Sequence, residues 1–344
     1  MRARMMPRSW AAGTAIAMSC AVSLAVAAPA QADEDRVGGS GGSSGGTSDT
    51  PQPDKGAVSG DGSIGAHIKL SRSANNNDSG TPVTTADTNW SPPVCWYEPE
   101  YTPEEYEEFI KDAYGGSQGE AAEYSEGRKK EKFHKGDKGL WWKVAFRGGE
   151  YDKACPVDTD NWEIWVPPAV PEPDPNAITP QMLSELAFNS TKLPVPPVEL
   201  SPKADRLVVN LPTRVKFEGG ALDRIWTTAS INHKGVQMAA TTVATPVALK
   251  VEAGTADADP QSCTYDLVKA EGGYRVDSEG AGCNVTYRRS SGDGSYPFKA
   301  SLTWEVTWTD SADPDGPVQQ PGLPGGLSTY EQDVSVKEIQ AINR

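Results

Sequence analysis

The most regular hydrophobic pattern in the chain runs from Phe298 to Trp308, where Phe298, Ala300, Leu302, Trp304, Val306 and Trp308 alternate with Lys299, Ser301, Thr303, Glu305 and Thr307. Successive side chains of an extended strand point to opposite faces, so a period of two predicts a strand with one buried and one wet face. Shorter apolar runs bounded by turn residues predict further strands at Leu207–Leu211, Ile225–Asn232, Val236–Val243, Val247–Val251, Cys263–Val268, Cys283–Arg288 and Tyr330–Ile339. His233-Lys234-Gly235 reads as a hairpin turn joining two of them. A series of strands with almost no helical period between them predicts an all-β sandwich over residues 204–344.

Earlier in the chain the period changes. Thr102-Pro103-Glu104-Glu105 is a capping box with proline in the first turn, and Tyr106, Phe109, Ile110 and Tyr114 follow near helical spacing, which predicts a helix over Pro103–Ala113. A second, charged helix is expected over Glu120–Phe133, and strands at Leu140–Phe146 and Trp162–Val166. Trp96, Trp141, Trp142, Trp162 and Trp165 gather here, so residues 94–168 read as a small aromatic-rich α+β unit. The proline-punctuated stretch 169–203 reads as a semi-rigid linker. It holds one helix, Pro180–Phe188, with Thr179 as N-cap and Met182, Leu183, Leu186 and Phe188 as apolar positions. Residues 33–93 are Gly, Ser, Thr, Asp and Pro with few large apolar side chains, a composition that reads as a disordered tether. Within it, Ile64–Leu70 has the pattern of a short strand.

Residues 1–32 have the layout of an export signal. Arg2, Arg4 and Arg8 precede an uncharged stretch of small and apolar residues from Ala11 to Ala28, and Ala30-Gln31-Ala32 supplies the small-x-small cleavage pattern, so cleavage is expected between Ala32 and Asp33. Cys20 lies inside this segment, where Ala17-Met18-Ser19 is a poor context for lipid attachment. No later stretch reaches the roughly 20 apolar residues of a membrane-spanning helix, so no span is expected after cleavage. The expected location is secreted, extracellular or associated with the cell envelope. Cys95, Cys155, Cys263 and Cys283 then suit disulfides, which persist in oxidising compartments. Of the three possible pairings, sequence order favours Cys95 with Cys155 and Cys263 with Cys283.

The formal net charge is −15 and becomes more negative once the leader's three arginines are removed. Nucleic acid and anionic membranes require basic surfaces, so neither is an expected partner. The basic run Arg128-Lys129-Lys130-Glu131-Lys132 reads as a solvated helix face.

Formal motif matches add little. Gly60-Asp61-Gly62-Ser63-Ile64-Gly65 fits G-x-G-x-x-G, but a dinucleotide site needs a strand before the glycines and a helix after them, and the surroundings predict neither. Gly38-Gly39-Ser40-Gly41-Gly42 fits the nucleophile-elbow pattern inside low-complexity sequence. The three histidines, His67, His134 and His233, lie far from the cysteines, so no metal and no cofactor is expected. Asp310, Asp313 and Asp315-Gly316 carry only a fragment of a calcium-loop spacing and read as a solvated hairpin loop. Among the carboxylates no pair stands out for glycoside hydrolysis. The chain therefore reads as a non-catalytic interaction or structural protein whose partner is a protein or a cell-wall polymer. Adjacent Trp141 and Trp142 point to opposite faces of one strand, so one ring is expected to be exposed, the candidate contact for a sugar or peptide.

Some segments carry a resemblance. Cys283-Asn284-Val285-Thr286-Tyr287-Arg288-Arg289-Ser290-Ser291-Gly292, Tyr296 and Leu302-Thr303-Trp304-Glu305-Val306-Thr307-Trp308 resemble the end of a PKD-like, immunoglobulin-type sandwich. Cys95-Trp96-Tyr97-Glu98-Pro99-Glu100-Tyr101-Thr102-Pro103, Asn210-Leu211-Pro212-Thr213, Thr245-Pro246-Val247-Ala248-Leu249 and Glu338-Ile339-Gln340-Ala341-Ile342-Asn343-Arg344 are similar to a group of secreted actinobacterial proteins. The resemblance implies export, a sandwich and a binding or spacer role, and brings no enzymatic activity. Glu252-Ala253-Gly254-Thr255 stands where PKD-like modules have a Gly-Asp-Gly turn.

Overall fold

A computed structural model describes residues 63–64, 67–74, 81–82, 84–85, 91–116, 118–149, 151–157, 161–168, 174–279 and 281–339. The leader with Cys20, the cleavage position Ala32–Asp33 and the Gly38–Gly42 run lie outside them, as do the glycines of the 60–65 motif. In chain order the principal elements are β1 (Ile68–Arg72), β2 (Cys95–Tyr101), α1 (Pro103–Tyr114), α2 (Glu120–Lys130), β3 (Leu140–Phe146), β4 (Glu163–Val166) and α3 (Pro180–Ser190). They continue with β5 (Val198–Ser201), β6 (Arg214–Phe217), β7 (Ile225–His233), β8 (Val236–Glu252), β9 (Ser262–Ala270), β10 (Gly273–Val276), β11 (Tyr296–Thr309) and β12 (Gly326–Val334). The architecture is mostly β, and no helix among the described residues is long and apolar enough to cross a membrane.

The main sheet runs β1-β7-β8-β11-β12, entirely antiparallel, with short strands Ser63–Ile64 and Thr84–Thr85 at its two edges. Sequence pattern splits β8 into two strands, but it is one strand of 17 residues with a register shift between Pro246 and Ala248. The long neighbour β11 pairs with it on both sides of that bulge, and a bulge accommodates a proline that has no N–H to donate. On its other edge β8 pairs first with β7 and then with β9, which continues to β10. β11 buries Phe298, Ala300, Leu302, Trp304, Val306 and Trp308, the alternation seen in sequence. Its buried indoles are satisfied, Trp304 donating to Ser328 Oγ at 3.0 Å and Trp308 to the Pro321 carbonyl at 2.8 Å.

Other expected strands are shorter. Leu207–Leu211 is reduced to Leu207–Val208, because Asn210 adopts a left-handed φ of +63° that turns the chain away. Of Cys283–Arg288 only Thr286–Tyr287 is extended, paired with Ala258–Asp259. Tyr330–Ile339 starts earlier, at Gly326, and ends in a separate two-residue strand, Val336–Lys337.

The three-stranded sheet β2-β3-β4 carries α1 and α2 on one face. Both halves of the capping box form: Glu105 N–H donates to Thr102 Oγ1 at 3.3 Å and Thr102 N–H to Glu105 Oε2 at 2.8 Å. The charged second helix stops at Lys130 and gives way to a tight turn at Lys132–His134, where Phe133 has φ +53° and is buried. On the other face of the sheet, Tyr97, Trp142 and Val144 share one core with Leu183, Leu186 and Ala187 of α3 and with Ile68, Ala229, Ala240 and Trp308 of the main sheet.

That shared core corrects the expected division of the chain. The described residues all fall in one compact unit. Stretch 33–93 is not a tether throughout, since Ile68–Arg72 pairs with β7 and Ile68 is fully buried. Stretch 169–203 is not a spacer between independent units: α3 buries Leu183, Leu186 and Phe188 completely, about 1.5–3 kcal/mol each. Phe188, Leu193, Val198 and Leu200 also belong to the core of the C-terminal strands, so 204–344 does not contain its whole core.

Candidate functional site

Three chemistry-bearing side chains from distant segments meet at one corner. β1 pairs with β7 so that Ile68 faces Ile231, which sets His67, just before β1, beside His233 at the end of β7. β2 brings Glu100 to the same corner. His67 Nε2 and Glu100 Oε2 are 2.6 Å apart, and the two imidazoles lie 3.6 Å apart between centroids with planes 10° from parallel. Their ligating nitrogens and the carboxylate oxygen all fall within 4.8 Å of one another. The corner is reachable, with His67 22 % and Glu100 24 % exposed at the side chain.

The turn after His233 holds this corner. Lys234 and Gly235 both have positive φ, +51° and +82°, the signature of a two-residue primed hairpin turn. Lysine at such a φ costs roughly 1–2 kcal/mol relative to glycine. Lys234 Nζ is ion-paired with Glu105 Oε1, so the α1 capping residue also clasps the hairpin.

The electrostatics of the three groups are coupled. The Glu100 hydrogen bond raises His67 above the ordinary imidazole value, against the lowering effect of burial. Burial alone would raise Glu100, but the His67 hydrogen bond and the neighbouring cationic groups outweigh it and hold the carboxyl low. His233 is lowered by burial and by the adjacent His67. The corner is thus a hydrogen-bonded imidazole–carboxylate pair with a second imidazole stacked on it.

The tryptophan pair does not form the surface contact expected of it. Trp141 is 0 % and Trp142 7 % exposed, because the sheet is covered on both faces. Trp141 stacks on Tyr106 at 4.1 Å and donates to the Phe133 carbonyl at 3.1 Å, and the Arg128 guanidinium sits 4.8 Å over its ring. Arg128 is therefore not part of a solvated face. It donates to Tyr124 Oη and to the Glu163 carbonyl, both at 3.2 Å. Tyr124 donates in turn to the Glu163 carboxylate at 2.7 Å, and Tyr106 lies 3.1 Å from Tyr124. Burial pushes the Glu163 carboxyl up and both tyrosine hydroxyls well above their usual range. The aromatic residues nearer the surface are elsewhere: Tyr151 is half-exposed beside Trp162, with ring centroids 6.0 Å apart and Phe146 beneath both.

Cys95 is bonded to Cys155 and Cys263 to Cys283. The 310–316 loop is knit together by its own side chains: Asp313 Oδ1 accepts from Asp315 N–H at 2.9 Å, and Asp315 Oδ1 accepts from Arg224 at 2.7 Å. Sequence reasoning passed over His67, Glu100 and His233 because they come from three segments and none adjoins a cysteine. The available signals were the strand pattern at Ile64–Leu70 and the hairpin turn that begins with His233.

Compared with family models, curated proteins and solved structures, the chain finds no match.

Proposed function

We propose that this chain is a secreted, non-catalytic interaction or structural protein of the cell envelope or extracellular space. In this reading residues 1–32 are removed as a signal peptide, and the C-terminal strands form an immunoglobulin-like sandwich of the PKD-like kind found in secreted actinobacterial proteins. The observation that carries it is the state of the cysteines: Cys95, Cys155, Cys263 and Cys283 are all consumed in two bridges, one in each half of a mostly β body. Such bridges last in an oxidising compartment and are rare in a reducing one. The test is expression with the native leader in a bacterial host. Intact-mass and peptide analysis of the medium should find a chain beginning at Asp33 with both bridges closed; a chain retained in the cytoplasm with free thiols would overturn the reading.

A second reading, binding to a cell-wall polysaccharide, is favoured by Tyr151 and Trp162. Tyr151 is 47 % exposed, and the Trp162 ring packs beside it and against Phe146. Exposed aromatic faces offer apolar surface with low conformational entropy to a sugar ring. Tyr151→Ala should abolish retention on insoluble cell wall while leaving the melting temperature unchanged. Retention equal to that of the parent protein would sink this reading.

A further inference from the structure

The corner formed by His67, Glu100 and His233 has a donor set that the reading above leaves unused. We infer that these three side chains bind one divalent transition-metal ion of the zinc, nickel and copper class, through two imidazole nitrogens and one carboxylate oxygen.

The donor chemistry selects the class. Calcium and magnesium take oxygen shells, whereas imidazole with a carboxylate suits borderline divalent ions. All three ligating atoms already lie within 4.8 Å of one another, so no backbone movement is needed to bring them together. Metal–nitrogen and metal–oxygen bonds of about 2.0–2.1 Å in a tetrahedral site separate ligating atoms by about 3.3 Å. His67 Nε2 and Glu100 Oε2, now 2.6 Å apart, must therefore part by roughly 0.7 Å. The stacked imidazoles must splay so that both nitrogens aim at one point. Side-chain rotation of partly exposed groups supplies both adjustments.

The surroundings favour the same occupant. Of the lysines that act on the corner, Lys234 is ion-paired with Glu105, and Lys143 lies over the Tyr101 and Phe109 rings. Three protein ligands leave a fourth position for water, and the exposure of His67 and Glu100 leaves a path for the ion. Binding would clip the start of β1 to the β7–β8 hairpin and to β2, three segments that sequence alone does not connect.

The chain has three histidines in all, which makes the test sharp. The secreted, oxidised protein is prepared without a histidine tag, stripped with EDTA and titrated with ZnCl2 by equilibrium dialysis. One zinc per chain is expected. His67→Ala and His233→Ala should each weaken binding more than about 10-fold, and His134→Ala should not change it, since His134 stacks on Trp165 away from the corner. Absence of saturable binding, or binding that survives both substitutions, would overturn the site. Should either variant fail to fold, the His134→Ala protein loaded with one equivalent of CuCl2 decides. Its pulsed EPR spectrum should show modulation from two imidazoles, which can then only be His67 and His233; modulation from one or none refutes the proposal.

Discussion

The three-stranded sheet and the main sheet bury their side chains differently. In β11 one face is packed and the other meets water or lies partly covered, so burial follows the hydrophobic alternation residue by residue. In β3, Trp141, Trp142, Val144, Ala145 and Phe146 are all buried, because helices cover one face and the main sheet with α3 covers the other. The main sheet fills its core with aliphatic and aromatic side chains. The small sheet also encloses a hydrogen-bonded group of Glu163, Tyr124, Tyr106 and Arg128. Coverage rather than strand character makes the difference, and the element covering the small sheet is the other half of the molecule. Neither region closes its core alone.

The largest consequence is for dissection. A fragment of residues 204–344 lacks β1, α3 and the core residues Phe188, Leu193, Val198 and Leu200, and it exposes Trp308, Ala229 and Ala240. We expect it not to melt cooperatively, whereas residues 63–339 should. A cooperative transition with a β-type circular dichroism spectrum from the short fragment would separate the two regions again.

Within the small sheet, the two-sided cover predicts that Trp141→Ala and Trp142→Ala both cost about 3–5 kcal/mol in urea unfolding, the usual range for a buried aromatic. A near-neutral result at either position would restore a wet face. The bridges probe each region separately. They close loops of 60 residues in the small unit and 20 in the main one. On chain-entropy grounds, replacing Cys95 and Cys155 with serine should cost roughly 4 kcal/mol, and replacing Cys263 and Cys283 roughly 3 kcal/mol. Guanidinium melts of the two double variants would reverse the comparison if the shorter loop mattered more.

The same contrast explains what the sequence made legible. The helix at Pro103 is announced by a local motif, Thr102 with Glu105, and β11 by a wet face, so both can be read without knowing the fold. β2, Cys95-Trp96-Tyr97-Glu98-Pro99-Glu100-Tyr101, shows no alternation because most of it is buried on both sides, and Pro99 argues against a strand until the register shift at Pro99–Tyr101 is seen. The exposure assigned to one of Trp141 and Trp142 assumed a single covered face. The corner of His67, Glu100 and His233 depends on the pairing of β1 with β7 and on the docking of β2, facts of tertiary structure that no spacing in the chain encodes. Cysteine pairing was readable from order alone, since each bridge joins neighbours in sequence.

The smallest expected effect concerns charge inside the aromatic region. Glu163 is 3 % exposed, and burial raises its carboxyl above the ordinary value even though Tyr124 donates to it and Lys143 and Arg128 lie near. A carboxyl raised in the folded state binds its proton more tightly there than in the unfolded chain. Its contribution to stability is therefore full below the unfolded value of about 4.3 and is lost as pH rises from there through the folded value. Glu163→Gln keeps an acceptor for Tyr124 and removes the ionisation. Measured by urea melts across pH 4 to 8, the difference in stability between variant and parent should move in the variant's favour as pH rises, by less than either tryptophan substitution costs. A difference that moves the other way would mean that Arg128 and Lys143 hold Glu163 as a stabilised anion, and the small sheet would then rest on a buried ion pair instead of a neutral hydrogen-bonded group.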